Sequence, residues 1–223
     1  METNHIHLYV MTYDTEFAPN PHHGILTLAS CKPKIRKYAK VGDWIAGWSA
    51  KRVMDKTMKP INFTDGQRLI YIARIKEVIS LEDYWKRFPQ KRPHLLSTAI
   101  AKNSCNSCGG KKIISGLKVW QIYDSGDNIY KPLENGRFEQ LANAGEHGEE
   151  NKKTDLNGKN ALVCEEFYYF GAANAIDVRD IFKTVAPRWK KIELENNEVA
   201  ALIEYIRCNF TKGYLSHKTT GCK

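Results

Sequence analysis

Residues 68–80, RLIYIARIKEVIS, carry the strongest strand signal in the chain, with Ile70, Ile72, Ile75, Val78 and Ile79 β-branched and Tyr71 aromatic. Just upstream, Val41-Gly-Asp-Trp44 reads as a tight turn into an apolar strand over residues 44–49. The loop between the two strands, residues 50–67, holds Lys51, Arg52, Lys56 and Lys59 among Met, Pro, Asn and Gly, so exposure and mobility are expected there. Downstream, residues 81–88 predict a short helix with Ser80 as N-cap, two acids in its first turn and a stop at Pro89.

Further out, residues 5–13 alternate as a first strand. Two prolines in Phe17-Ala-Pro-Asn-Pro-His-His-Gly24 forbid its continuation and impose an ordered loop. Residues 25–31 read as a short strand or turn, 34–40 as one or two basic helical turns, and 119–123 with 129–130 as a short strand pair. Residues 161–171 read as another strand. Val199, Leu202, Ile203, Ile206 and Phe210 form one helical stripe, capped by Asn196 or Asn197 and stopped at Gly213. The expected fold is α+β, a small, strongly curved or barrel-like mixed sheet with peripheral helices. One domain is expected over residues 1–223, with loop excursions at 50–67, 101–116 and 135–160.

The chain's 223 residues are 42% hydrophobic and 26% charged, which supports a folded core and argues against disorder. No apolar run approaches the roughly 20 residues of a membrane span. The N-terminal METNHIHLYV carries no secretion signal. Six cysteines in such a chain point to free thiols or a metal site in a reducing, cytoplasmic setting. The net charge of +9 is unevenly spread: residues 31–122 carry +14, and residues 123–171 carry −5. Such a basic block attracts nucleic acid or nucleotides; an ordinary solvated lysine-rich surface is the competing explanation.

No P-loop, dinucleotide fingerprint, GxSxG or HExxH occurs, so standard kinases, ATPases and Rossmann dehydrogenases are disfavoured. His22, in the proline-bounded loop, suits acid–base chemistry, with Arg36 and Asp127 as companions in an enzymatic reading. Cys31 sits among Lys32, Lys34 and Arg36, a context that activates a thiol; an inert buried thiol is the alternative. Lys32, Lys34, Arg36 and Lys37 form one phosphate-contacting candidate cluster, and Lys91 and Arg92, with Lys86 and Arg87, another around Trp85 and Phe88. Phe17, Asn20, Trp44, Trp48, Asn128, Tyr130 and Tyr169 are candidates for stacking on a base or reading its edge, against a core-filling or turn role for each. Asp127 and Asn128 could equally form an Asx turn. His147 and Asp155, in the acidic excursion, are further candidates. Cys105-x2-Cys108 with His217 and Cys222 has the residue types of a Cys3His zinc site, and zinc is the one cofactor suggested.

The motifs Phe17–Gly24, Thr27–Arg36, Val41–Trp44, Glu82–Pro93, Gly126–Tyr130 and Phe167–Gly171 together resemble the bacterial and phage family called nucleotide modification associated domain 2. The resemblance spans most of residues 8–175. It implies a setting, the making or handling of modified DNA bases inferred from accompanying genes, and no reaction. The insertion Cys105–Lys112 (CNSCGGKK) and the linker at 50–67 depart from the pattern. Val41–Ile45 and residues 68–80 also resemble the turn and barrel strands of PUA-like domains that read modified bases.

The leading expectation is a protein that handles DNA or nucleotides, recognising or processing a modified base through a basic face and an aromatic pocket, with no membrane partner. A transferase or hydrolase of a nucleotide base or sugar is the second reading. A non-enzymatic defence or regulatory module docking an acidic partner is the third.

Overall fold

A computed structural model describes residues 3–96, 100–101, 112–113, 116–144 and 147–215. In chain order the first half forms β1 (His5–Asp14), β2 (Leu26–Leu28), α1 (Pro33–Tyr38), β3 (Trp44–Asp55), β4 (Pro60–Asn62), β5 (Leu69–Arg74), β6 (Glu77–Ser80) and α2 (Leu81–Arg87). There follow β7 (Ile100–Ala101), β8 (Lys112–Ile113), α3 (Val119–Ile122), β9 (Tyr130–Pro132), β10 (Phe138–Gln140) and α4 (Glu149–Leu156). The chain then adds β11 (Asn160–Cys164), β12 (Glu166–Tyr169), β13 (Lys190–Glu193), α5 (Asn197–Asn209) and β14 (Gly213–Tyr214).

The main sheet runs β13-β1-β3-β5-β12-β14 with β4 on β3, and a smaller sheet runs β2-β11-β6. The strand expected over 68–80 is thus two strands. β5 pairs with β3 and β12 in the main sheet, whereas β6 leaves to pair with β11. The strand expected over 161–171 breaks in the same way between β11 and β12, opposite the first break. Both breaks fall at exposed charged residues, Lys76 and Glu165, whose side chains pair at 2.5 Å. Turning two partnered strands at one level curls the sheet into a half-barrel, so the fold is α+β with a strongly curled sheet, as expected.

Alternation assigns the two faces. Ile6, Leu8, Trp44, Ala46, Trp48, Ile72 and Tyr168 face α5 and form one core with Val199, Leu202, Ile203 and Ile206. Burying those four α5 side chains contributes about 1.5–3 kcal/mol each. Asn196 caps α5, accepting from Glu198 N at 3.0 Å and Val199 N at 3.3 Å, and Ser80 Oγ caps α2 by accepting from Asp83 N at 3.0 Å. Tyr9, Met11, Ile45, Tyr71, Phe167 and Tyr169 fill the opposite face with Leu26, Leu28 and Ile35.

Three segments differ from expectation. Residues 50–67 are largely a β3–β4 hairpin, because Asp55 Oδ1 closes the turn by accepting from Thr57 N at 2.8 Å and Lys59 N at 2.9 Å. Residues 119–122 are helical, as α3. The acidic stretch 135–160 contains β10 and α4 and sends Asp155 into the interior, where it is 1% exposed. Most of the excursion at 101–116 lies outside the described residues. No helix among the described residues is long and apolar enough to cross a membrane.

Candidate active site

Between β2 and α1 the chain makes an abrupt elbow, and both of its central residues lie in the left-handed region: Cys31 at φ 57° and Lys32 at φ 42°. Each such residue costs about 1–2 kcal/mol unless Gly or Asn occupies it, so the turn must be held from outside. Arg36, fully buried one turn along α1, does this. Its Nε donates to Cys31 O at 2.8 Å, Nη1 to Asn160 O at 2.8 Å, and Nη2 to Asp155 O. The guanidinium therefore ties the elbow to the end of α4 and the start of β11. Gly158 makes room for it, since a Cβ there would lie 2.5 Å from Arg36 Cζ.

The elbow presents Cys31 to His147, with Sγ 3.1 Å from Nε2. The other ring nitrogen, Nδ1, is 2.6 Å from Asp155 Oδ2. Asp155 is itself fixed: Oδ1 accepts from Cys31 N at 2.7 Å and Oδ2 from Tyr130 OH at 2.7 Å. The Phe17 ring lies 5.0 Å from the imidazole and backs it. A nucleophile, a base and an orienting carboxylate thus stand in line, on an elbow between a strand and a helix.

Burial alone would disfavour the imidazolium, but the hydrogen bonds to Asp155 and Cys31 outweigh it and raise His147 to about 10. Asp155 is held below the usual carboxylate range because its bonds to His147, Tyr130 OH and Cys31 N override its own burial. At neutral pH the site therefore contains an imidazolium between a carboxylate and the Cys31 sulfur. Cys31, His147 and Asp155 are also the group with metal-ligating chemistry among the described residues. However, Nε2 faces the sulfur while Nδ1 faces the carboxylate. The two lone-pair directions diverge, so one ion could not meet all three donors without rearrangement.

A cavity of about 300 Å³ opens onto Cys31 and His147, walled by Tyr9, Met11, Tyr13, Phe17 and Lys32. It meets a larger one, about 590 Å³, at Thr15. In the larger cavity Glu16 accepts from Lys56 Nζ at 3.0 Å and from Tyr214 OH at 2.6 Å, and lies 3.1 Å from His22 Nε2. Asn20, His23 and Asp124 also line it.

The family described as nucleotide modification associated domain 2 matches residues 3–109 and 111–220. The chain belongs to that family. No curated protein and no solved structure matches it.

Within this nucleotide modification associated domain 2 protein, the residues singled out from sequence fall in several separate places. Phe17, Arg36 and Tyr130 surround the Cys31 site. His22 and Asn20 line the larger cavity, and Lys91 lies on its wall but fully buried, with Nζ donating to Asn20 Oδ1 at 2.7 Å, His22 O at 2.7 Å and Ile25 O at 2.9 Å. Burial pushes the Lys91 ammonium down to about 8. Asp127 and Asn128 sit beneath. Asp127 accepts from Tyr84 OH at 2.7 Å, Thr27 Oγ1 at 3.0 Å and Ala29 N at 3.2 Å, and Asn128 Nδ2 donates to Tyr84 O at 3.1 Å and Phe88 O at 3.0 Å. These two brace the loop from inside, and no hydrogen bond or ion pair among the described residues joins Asp127 to His22.

Trp44 and Trp48 lie on the far face of the sheet, under α5, away from both cavities. Tyr169 is buried, donating to Asp14 and stacked between Tyr71 and Tyr214 at 6.0 and 5.5 Å. Lys34 and Lys37 are exposed on α1, and Arg92 stacks its guanidinium 4.0 Å over Trp85. Cys105, Cys108, His217 and Cys222 lie outside the described residues.

The His147 geometry has a pH signature. Its folded value, about 10, exceeds the ordinary 6.5, so its contribution to stability is complete below 6.5 and disappears as pH rises through about 10. The thermal midpoint is expected to fall across that window, and His147→Gln should flatten the fall. Parallel pH profiles for the two proteins would contradict the ion pair.

Proposed function

We propose that this nucleotide modification associated domain 2 protein is an enzyme that transfers or hydrolyses a group on a nucleotide base or sugar through a covalent bond to Cys31. The observation that carries this reading is the line Cys31 Sγ, His147, Asp155, with contacts of 3.1 and 2.6 Å, opening on a cavity. The family membership supplies the nucleotide.

The thiolate attacks an electrophilic carbon of the substrate, forming a C–S bond. The departing group leaves with the bond's electron pair and takes the Nε2 proton of His147. The neutral imidazole then removes a proton from water or from an acceptor hydroxyl or amine. That nucleophile displaces the sulfur, restoring thiolate and imidazolium. Asp155 holds the ring in the tautomer both steps require. Tyr9 and Phe17 give a base an apolar wall, and Lys34 and Lys37 present positive charge beside the elbow for phosphate approach.

A reader of modified bases would use the same cavity without bond formation. Intact-mass measurement after acid quenching of protein incubated with nucleotides and short deoxyoligonucleotides separates the two. A mass increment on wild type that is missing in Cys31→Ala is expected. Saturable binding with unchanged protein mass under every condition would replace the enzyme with the reader.

A further inference from the structure

Lys32 differs from the other lysines of its cluster. Lys34 and Lys37 are exposed, whereas Lys32 is half-buried and lines the cavity beside Cys31. Its left-handed backbone at φ 42° departs from the helical run that follows it. Its Nζ lies 4.5 Å from the centre of the Tyr9 ring, and among the described residues no carboxylate pairs with it and no oxygen accepts from it. Burial, with a second cation, Arg188, near enough to add to it, lowers its ammonium against the opposing influence of Cys31. A partly desolvated ammonium over an aromatic ring, with another cation near and no acid partner among the described residues, lines the space where a substrate would sit with hydrogen-bonding capacity to spare.

We propose that Lys32 is the anion receptor of the Cys31 site and selects substrates whose reacting group lies close to a negative charge, the phosphate of a nucleotide. This rests on the reading of Cys31 as nucleophile. In the complex, the anion completes the hydrogen bonding of Nζ, and the Tyr9 face beneath keeps the ammonium in place. Lys32 acts by positioning; it exchanges no proton in the reaction.

Two haloacetates of nearly equal size test this without a known substrate. Iodoacetate carries a carboxylate beside its electrophilic carbon, and iodoacetamide is neutral. Alkylation rates of Cys31 are measured in the full chain by peptide mass spectrometry for wild type, Lys32→Gln and Lys32→Arg. The iodoacetate to iodoacetamide rate ratio is expected to drop about fivefold in Lys32→Gln and to hold in Lys32→Arg. As a second readout, a deoxynucleoside monophosphate should protect wild-type Cys31 from iodoacetamide better than the nucleoside, and lose that advantage in Lys32→Gln. An unchanged rate ratio, or equal protection by the two, overturns the receptor while leaving the nucleophile intact. A wild-type Cys31 no more reactive than the exposed Cys208 overturns both.

Discussion

At pH 7 Cys31 is expected to be the fastest-alkylating thiol of the chain, and His147→Gln should slow its reaction with iodoacetamide about thirtyfold. The size follows from the geometry: His147 Nε2 lies 3.1 Å from Cys31 Sγ, so a positive charge and a hydrogen bond favour the attacking sulfur, and glutamine supplies no charge. Exposure alone gives the opposite ranking. Cys208 is exposed, while Cys31 is half-buried and Cys164 is buried, where burial pushes its thiol up. Asp155→Asn should fall between wild type and His147→Gln. It weakens the hold on the imidazolium, while the amide oxygen can still accept from Cys31 N. If the enzyme reading holds, Cys31→Ala and His147→Ala should each reduce turnover about 10⁴-fold or more. The double variant should be little worse than either, because residues acting as a unit are not additive. Equal alkylation rates in wild type and His147→Gln would remove the ion pair.

Arg36→Met is expected to destabilise the fold by about 3–5 kcal/mol, a large share of the total for any domain. Methionine fills much of the same volume but takes the guanidinium donors from Cys31 O, Asn160 O and Asp155 O, of which Asp155 O keeps Gly158 N at 3.0 Å. It also removes the cation facing Asp155, and leaves the two left-handed elbow residues held by Arg36 N to Lys32 O at 3.2 Å and Cys31 N to Asp155 Oδ1 at 2.7 Å. Arg36→Lys should recover little, since one ammonium cannot reach three carbonyls that a planar fork serves from different sides. Gly158→Ala probes the same clamp from its other surface, because the added methyl would meet the guanidinium. Urea unfolding reads both. A loss under about 1 kcal/mol in Arg36→Met would mean that the elbow is held by something else.

Individual sequence signals located much of this molecule. Ser80 and Asn196 cap the helices they were expected to cap, and the stripe from Val199 to Ile206 faces the core. The motifs Phe17–Gly24, Thr27–Arg36 and Gly126–Tyr130 do meet, around two adjoining cavities. Yet their chemistry is divided differently from its appearance in sequence. Arg36 and Lys91 look like surface cations because Lys and Arg seldom go inside; both are buried, solvated by backbone carbonyls instead of water. Asp127 looks like a ligand acceptor, and its carboxylate is spent on Tyr84, Thr27 and Ala29.

The line of Cys31, His147 and Asp155 was the least legible feature. Cys31 and His147 are separated by 116 positions, and the segment holding His147 and Asp155 reads as an acidic, polar excursion. The available signals were local and weak: a cysteine just after a short strand and before a proline-started helix, and a histidine eight residues before an aspartate. Neither has a motif's specificity.

By itself the sequence determined the class of fold, the ends of its main helices, the family and the concentration of positive charge in residues 31–122. These depend on neighbours a few residues apart: side-chain period, capping geometry, turn residues. Only the tertiary structure decided which cysteine has a base, which cations face a cavity and which serve as internal braces. Those properties depend on burial and on partners brought together by the curl of the sheet, and a curl made by two strand breaks in separate parts of the chain has no local signature.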